Sequence, residues 1–385
     1  MNKSISIYIH IPFCVKKCAY CDFASFGGCM DRMGAYVDAV CREIRAQAAF
    51  YGRRKVRTVF FGGGTPSLLS PAQMQGIMDA LRGSFYIEET AEISMECNPG
   101  TVTAEKLCAY RAAGINRLSI GVQSMDDALL SAIGRIHTKA QAADAVRMAR
   151  EAGFDNVSVD LMLGLPGQSA EKWEETLREA IGLGVEHLSC YSLIIEEGTP
   201  LEAAVRAGTC APLPDESAMD AMDEITARLT REAGFARYEV SNWAKPGRQS
   251  RHNIVYWDCE DYLGVGLAAH GDMDGVRFEH TADMEQYLAE CENIASLNRP
   301  EGNNTGNDRM FERAMMGLRK VCGMDAARFE RDFGKAPEAV WTETIAEMTR
   351  AGLMAREGDF LRLSARGMDV MNGVLTRMME EFPGE

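Results

Sequence analysis

The sequence predicts an α/β protein whose first half folds as an open, partial (β/α)6 barrel. Short β-branched runs alternate with amphipathic helical segments at intervals of about 25 to 40 residues, which indicates βα repetition. Several of the runs are almost entirely apolar, as expected for parallel strands covered by helices. The predicted strands are residues 5–10, 56–61, 91–97, 117–122, 157–163 and 187–193.

Start and stop signals of helices separate these strands. Ser70 precedes Pro71 and is followed by Gln73, and Thr138 with Gln141 repeats this capping-box spacing. Three glycines that each follow an alanine are predicted to end helices in the left-handed conformation: Gly114, Gly153 and Gly234.

The chain divides into three predicted parts. Residues 1–195 form the barrel core, residues 196–302 form a connecting segment that covers it, and residues 303–385 form a C-terminal α+β domain. Residues 263–270 are small and apolar and are predicted to form one further buried strand. The last part combines helices with a hairpin, the outline of a winged helix, and residues 303–306 are the predicted linker.

The composition is that of a folded protein with an acidic surface. Hydrophobic residues make up 46% of the 385 residues and charged residues 25%, as in soluble globular proteins. The net charge of −15 argues against nucleic acid as a partner, including DNA at the winged helix, since phosphate binding requires clustered basic residues. Twelve cysteines without a signal peptide or membrane-spanning run favour a cytoplasmic location, with at most peripheral membrane association.

Three cysteines follow the first predicted strand at the spacing C-x3-C-x2-C: Cys14, Cys18 and Cys21. A short loop can place three thiolates on three corners of an iron–sulfur cube and leave the fourth iron without a protein ligand. An open position is typical of catalytic metal sites because a substrate or cofactor can enter it. The alternatives are a zinc loop that takes a fourth ligand from Cys29 or His10, and cysteines that are clustered by chance.

Other motifs fall at the carboxyl ends of the later strands, where barrel and doubly wound folds place their chemistry. The glycine run 62–66 follows the second strand, residues 96–99 end the third, Gln123 ends the fourth and Asp160 lies in the fifth. One pocket at this rim is therefore expected. Taken singly, these motifs also fit a tight turn or phosphate cradle, a helix-start carboxylate at Glu96, and an ion pair between Arg135 and Asp160.

The cysteine loop and the glycine run together resemble the radical S-adenosylmethionine (radical SAM) superfamily. Segments 8–14, 96–99, 121–124 and 159–166 are similar to one family within it, the oxygen-independent coproporphyrinogen oxidase group. The resemblance implies a TIM-type radical SAM barrel in which the three cysteines bind a [4Fe-4S] cluster. It places around S-adenosylmethionine the residues Tyr8, Tyr20, Gly63, Gly64, Thr65 and Glu96. Around a second S-adenosylmethionine, as in the oxidase branch, it places Gln123, Arg135 and Asp160.

Three features favour the HemW branch, whose members are regarded as haem chaperones, over the oxidase branch. Phe23 stands where the oxidases have a further cysteine. Tyr8 lies almost at the start of the chain, whereas the oxidase branch carries an N-terminal extension before this tyrosine. Residues 252–257 match the segment H-N-x-x-Y-W of the HemW branch, in which His252 is an implied haem ligand. Without the resemblance, this segment also fits a buried aromatic anchor with a structural histidine in an irregular loop.

The resemblance implies a protein that binds a [4Fe-4S] cluster, S-adenosylmethionine and haem and delivers haem to acceptor proteins. An electron donor and a homodimer are further implied partners. The alternative function is that of an oxygen-independent coproporphyrinogen III oxidase, a dehydrogenase of porphyrin biosynthesis. A radical SAM methyltransferase or a haem-degrading enzyme would share the same barrel.

Overall fold

The computed structural model describes residues 3–302 and 306–382, which form two compact units. The first unit comprises the described residues up to 236 together with 242–252 and 261–301. The second comprises 237–241, 253–260 and the described residues from 302 onward. The predicted connecting segment, residues 196–302, thus contributes to both units, and the predicted linker lies, apart from Gly306, outside the described residues.

Six parallel strands form the centre of the first unit. They are β1 (Ile5–Ile11), β2 (Lys55–Gly63), β3 (Tyr86–Cys97), β4 (Arg117–Gln123), β5 (Val157–Leu163) and β6 (His187–Ser192). Each strand pairs in parallel with the next, which confirms the predicted βα repetition. Tyr262–Val265 lies beside β1 and Asn242–Ala244 beside β6, so the described strands form an open sheet, as predicted for a partial barrel.

Helices connect and cover these strands. The helices with described bounds in and at the edge of the first unit are Met33–Tyr51, Pro71–Ser84, Ala104–Ala113, Asp127–Ala132, Lys139–Glu151, Ala170–Gly182, Pro200–Ala207, Glu216–Glu232, Arg251–Trp257, Met284–Glu290 and Ile294–Leu297. Three short 3-10 turns are Met30–Arg32, Pro66–Leu68 and Pro99–Thr101. The helices bury their apolar side chains against the almost wholly buried strands in one continuous core.

The predicted helix boundaries follow from local chemistry. Capping boxes are present at Ser70 with Gln73 and at Thr138 with Gln141, where each side chain satisfies a backbone N–H of the other residue. The three glycines predicted to end helices have positive φ angles, as predicted: Gly114, Gly153 and Gly234.

Beyond β6 the structure corrects two expectations. Residues 263–270 do not form one strand: Tyr262–Val265 runs parallel to β1, and after a turn His270–Met273 returns antiparallel, followed by Val276–Glu279 and Arg299–Pro300 at the edge of the sheet. The turn requires a positive φ at Gly266 and Ala268, which interrupts the extended backbone. The segment containing H-N-x-x-Y-W is the short helix Arg251–Trp257 and not an irregular loop.

The second unit combines helices with a small antiparallel sheet. Its sheet contains Met324–Asp325, Phe360–Leu363 and Met354–Glu357 in that order, and the last two strands form the predicted hairpin. Its helices are Gly306–Gly317, Ala326–Phe333, Pro337–Val340, Thr342–Arg350, Ala365–Asp369 and Met371–Glu380. Trp341 and Phe329 lie in its separate hydrophobic core. Throughout the described residues, every helix is too short or too polar to cross a lipid bilayer.

Candidate radical SAM site

The cysteine loop begins where β1 ends and is closed at its base. The two-residue strand Phe13–Cys14 pairs in parallel with Phe26–Gly27, and the Phe26 N–H donates to the Pro12 carbonyl at 2.7 Å. This pairing returns the chain to its starting point, so the residues between must form a compact loop. Cys14, Cys18 and Cys21 are thereby held at the carboxyl end of β1.

Gly134 supports the middle of this loop. The Ala19 N–H donates to the Ile133 carbonyl at 3.1 Å, and the Leu201 N–H donates to the Ala19 carbonyl at 2.8 Å. Gly134 has a φ of +76°, and a Cβ atom there would lie 3.2 Å from the Ala19 nitrogen. The loop therefore packs on backbone that only glycine provides without strain.

A cavity of about 390 Å³ lies at the carboxyl ends of β1 to β6 and brings most of the predicted residues together. Its lining includes Cys14, Cys18, Cys21, Tyr20, Gly63, Gly64, Thr65, Glu96, Gln123, Arg135 and Asp160. Six segments far apart in sequence thus form one pocket, as expected from the positions of the motifs. Among the predicted residues, Tyr8 and His252 do not line it.

The surroundings of the thiols fit an iron–sulfur cluster. The Thr65 hydroxyl lies 3.6 Å from Cys14 Sγ, and Arg135 Nη1 lies 3.5 Å from Cys18 Sγ. Donors of this kind stabilise thiolates that ligate iron. No three His, Cys, Asp or Glu side chains among the described residues converge as ligands of a single metal ion. A cubane instead binds its thiolates on separate iron atoms, which requires them to line one cavity without converging.

The two residues considered as a fourth zinc ligand have other surroundings. His10 is buried, with Nδ1 3.0 Å from the Tyr8 hydroxyl and Nε2 2.8 Å from the Ala24 carbonyl, so both ring nitrogens are engaged. Burial lowers the pKa of His10. Cys29 lies outside the cavity lining, with Sγ 3.9 Å from the Gly27 carbonyl.

The glycine run is packed against aromatic side chains of β1. A Cβ atom at Gly62 would lie 2.9 Å from the Tyr8 ring, and one at Gly63 would lie 2.6 Å from the His10 ring. A Cβ atom at Gly64 would lie 2.7 Å from the Phe13 carbonyl oxygen. The Tyr8 ring therefore packs directly against the glycine run. Close packing accounts for these glycines in addition to the exposed backbone expected to contact a cofactor.

Two carboxyl groups face the cavity. Glu96 Oε2 accepts from the Gly63 N–H at 3.2 Å, which ties the end of β3 to the glycine run. Burial, followed by the nearby Asp160, raises the pKa of Glu96 to about 8. Burial also raises the pKa of Asp160, whose oxygens accept from the Ser119 hydroxyl at 2.9 and 3.1 Å. A cationic amino group beside these carboxyl groups would favour their ionised form, so the cavity can bind such a group, and the carboxyl oxygens can also accept from sugar hydroxyls.

Arg135 and Asp160 do not form the ion pair considered from the sequence. Arg135 Nη2 donates to the Gly121 carbonyl at 2.5 Å, and Arg135 Nη1 donates to Cys18 Sγ at 3.5 Å. Gln123 has a φ of +68° and accepts from the Tyr191 hydroxyl at 2.7 Å. This arrangement leaves the Asp160 carboxylate facing the cavity.

The sequence interpretation missed Ser119 and Tyr191, which orient Asp160 and Gln123. Both line the cavity, as does Cys97. Ser119 lies two residues before Gly121 on β4, so the alternation of side chains along a strand was the available signal. Tyr191 lies at the end of β6, where the sequence shows no motif.

His252 lies elsewhere in the first unit. It has no exposed surface. Its ring Nδ1 lies 2.7 Å from the Thr58 hydroxyl, and its backbone N–H donates to the Glu92 carboxylate at 3.0 Å. Its ring stacks on Phe60 at a centroid distance of 5.2 Å. Burial lowers the pKa of His252 to about 3, so the imidazole is neutral. Its role as a haem ligand stays a prediction, and in this conformation the ring is enclosed by protein.

Comparisons with known proteins agree with this geometry. The radical SAM superfamily matches residues 8–180, and the HemN C-terminal domain matches residues 304–370. "Heme chaperone HemW" of Bacillus subtilis is 34% identical and covers 98% of this chain and 100% of the relative. The protein of the same name from Escherichia coli is 35% identical, with 98% of both chains covered. The chain belongs to the HemW family of radical SAM proteins.

The solved structure of a coproporphyrinogen III oxidase, HemN of Escherichia coli, shares the fold of this HemW family member. It superimposes with a TM-score of 0.83 at 24% identity and covers 98% of this chain and 90% of the oxidase. The likeness confirms the predicted α/β radical SAM fold with its C-terminal domain. In this HemW family member, Phe23 lines the cavity and is 61% exposed.

Proposed function

We propose that the protein is a haem chaperone that binds a [4Fe-4S] cluster, S-adenosylmethionine and haem and delivers haem to acceptor proteins. The observation that carries this proposal is the full-length similarity to relatives named heme chaperone HemW in several bacteria. An electron donor, a homodimer and the absence of nucleic acid as a partner belong to the same proposal. The twelve cysteines are free in the structure, which supports a reducing, cytoplasmic location.

The cavity residues suggest how the cofactors are held. Cys14, Cys18 and Cys21 would ligate the cluster, and Glu96 with the Gly63–Gly64 backbone would hold the amino group of S-adenosylmethionine. When bound, the cluster and S-adenosylmethionine together supply one-electron reduction chemistry. Asp160 and Gln123 would bind hydroxyl or amide groups, Arg135 would pair with a carboxylate, and Tyr20 would exclude water.

The coproporphyrinogen III oxidase function is less well supported. The oxidase structure is 24% identical, below the 34% and 35% identity of the chaperone relatives. Phe23 also occupies the position of the additional oxidase cysteine.

Two measurements distinguish these functions. The anaerobically reconstituted protein should bind haem, seen as a shifted Soret band, and should form no protoporphyrinogen when incubated with coproporphyrinogen, S-adenosylmethionine and dithionite. Cells that lack the protein should make normal amounts of haem but contain less haem in their haem proteins. Product formation by the purified protein, or loss of total cellular haem, would instead establish the oxidase.

A further inference from the structure

A second cavity of about 560 Å³ lies at the amino end of β3. Its lining includes Arg53, Arg82, Tyr86 and Arg111. Because β1 to β6 are parallel, this end of the sheet is opposite the carboxyl ends that carry the cysteine cavity. We call it the arginine groove.

The three arginines have neutral partners. Arg53 lies over the Tyr86 ring at 4.5 Å, and Arg82 Nη2 donates to the Ala113 carbonyl at 2.5 Å. Arg111 Nε donates to the Gly153 carbonyl at 3.3 Å. Within the described ranges 3–302 and 306–382, none of the three forms an ion pair. Each guanidinium therefore keeps its full charge and several N–H donors for a ligand.

Two carboxylates also line the groove and do not cancel this charge. Glu88 accepts from the Ser4 hydroxyl at 3.0 Å, and Glu89 is exposed. Three arginines and two glutamates give the groove a net charge of +1, on a chain whose net charge is −15. A local positive site on an acidic protein attracts and retains anions.

The backbone around the groove is arranged to hold Arg82. Gly114 has a φ of +108°, and a Cβ atom there would lie 2.5 Å from Arg82 Nη2. The Asn116 side chain fixes the floor, since Oδ1 accepts from the Ile93 N–H and Nδ2 donates to the Ala91 carbonyl, both at 2.8 Å. The guanidinium thus reaches the groove from a rigid support.

The groove and His252 flank the same end of β3. Arg251 Nη1 donates to the Thr90 carbonyl at 2.6 Å, and the backbone N–H of His252 donates to the Glu92 carboxylate. The groove residues Glu88, which is half-buried, and Glu89, which is exposed, precede these two positions on the same strand. A ligand in the groove would therefore lie near Arg251, which precedes the predicted haem-ligating histidine. The His252 ring itself lies on the side of β3 that carries Glu92, opposite the side of Ala91 and Ile93 that lines the groove.

We propose that the arginine groove binds the two propionate carboxylates of haem and anchors the porphyrin beside the His252 segment. Guanidinium groups bind carboxylates through paired, charge-assisted hydrogen bonds. The Tyr86 side chain, 55% exposed, offers an apolar surface to the macrocycle. This inference rests on the proposed haem-binding function and assigns to it a site separate from the cysteine cavity.

The test titrates full-length protein with haemin and with haemin dimethyl ester, in which both propionates are blocked. The groove variant is Arg82→Gln/Arg111→Gln. Its control, Arg45→Gln/Arg231→Gln, removes the same charge from exposed arginines on other helices. We expect the groove variant to bind haemin about tenfold or more weakly, because charge-assisted contacts contribute about that much.

The comparison of ligands identifies the groups that the groove binds. The control variant should bind haemin as the wild type does, and the groove variant and wild type should bind the dimethyl ester equally. Wild-type affinity of the groove variant for haemin, or an equal loss with the ester, would overturn the inference while leaving haem binding intact. Failure of the wild type to bind haemin would overturn the proposed function as well.

Discussion

Gly134 is a residue without a functional group that contacts the cysteine loop. Its backbone angle resembles that of Gly153, with φ values of +76° and +86°. A Cβ atom at Gly134 would meet the Ala19 nitrogen, whereas nothing lies within 4 Å of one at Gly153. Substitutions at these two glycines therefore distinguish the effect of backbone strain from the effect of contact with the cysteine loop.

We expect Gly134→Ala to reduce cluster loading and Gly153→Ala to leave it unchanged. Both substitutions should destabilise the fold by about 1 kcal/mol, since alanine is strained at positive φ. Only the first should lower the iron and sulfide content after anaerobic reconstitution, because it displaces the loop between Cys18 and Cys21. Equal iron loading in the two variants would contradict the assigned role of Gly134.

The raised pKa of Glu96 predicts that the stability of the protein free of S-adenosylmethionine depends on pH. Its pKa of about 8 in the fold exceeds the ordinary value of 4.5, so between these values the unfolded chain releases a proton that the folded chain retains. This proton stabilises the fold at low pH, and its contribution is lost as the pH rises through 8. We expect the free energy of unfolding of Glu96→Gln, relative to that of the wild type, to rise by about 1 to 3 kcal/mol between pH 5 and pH 8.

Urea unfolding at pH 5, 6.5 and 8 measures this difference. Glu105→Gln, at an exposed position of the helix Ala104–Ala113, is the matched control and should show no such trend. A constant difference between Glu96→Gln and the wild type across these pH values would show that Glu96 does not titrate in this range.

At the scale of elements, the helix Arg251–Trp257 starts with its histidine enclosed. Thr58 of β2 and Glu92 of β3 bind the His252 ring and backbone, and Phe60 stacks on the ring. Haem ligation by His252 therefore requires these contacts to break, so that the start of this helix leaves the sheet.

We expect Thr58→Val to accelerate haem binding if His252 is an axial ligand. The substitution removes the partner of Nδ1 at similar volume, which favours release of the imidazole. Stopped-flow absorbance of the Soret band measures the rate, and Thr226→Val, which removes a buried hydroxyl bonded to Trp173, serves as control. An unchanged rate in Thr58→Val together with normal haem binding by His252→Ala would show that His252 is structural.

At the scale of the whole molecule, the first unit carries two separate cavities. The cysteine cavity lies at the carboxyl ends of the parallel strands, and His252 and the arginine groove lie toward their amino ends. In the proposed function, this layout would separate the cluster that takes up electrons from the haem that the protein carries.

We expect a variant with Cys14, Cys18 and Cys21 all replaced by serine to lose iron and sulfide but to bind haem with a Kd within about threefold of the wild type. Additivity of distant sites is the physical reason, and haemin titration of the purified variant is the measurement. A loss of haem binding as large as that of the groove variant would show that the two sites are coupled.

The sequence by itself determined the six parallel strands, the capping of the helices and most of the residues of the cysteine cavity. These features depend on local spacing: the apolar runs define strands, Ser70 and Thr138 define helix starts, and motifs that follow parallel strands must meet at one edge. The cysteine spacing could be interpreted for the same reason, because all three thiols lie on one short loop.

Only the tertiary structure decided which side chains are covered and which remain free. It placed Tyr8 against the glycine run, enclosed His252 between Phe60 of β2 and Glu92 of β3, and left three arginines at one end of β3 without ion pairs among the described residues. These outcomes depend on contacts between residues far apart in sequence. Such contacts are set by packing, and the periodicity of a single segment does not contain them.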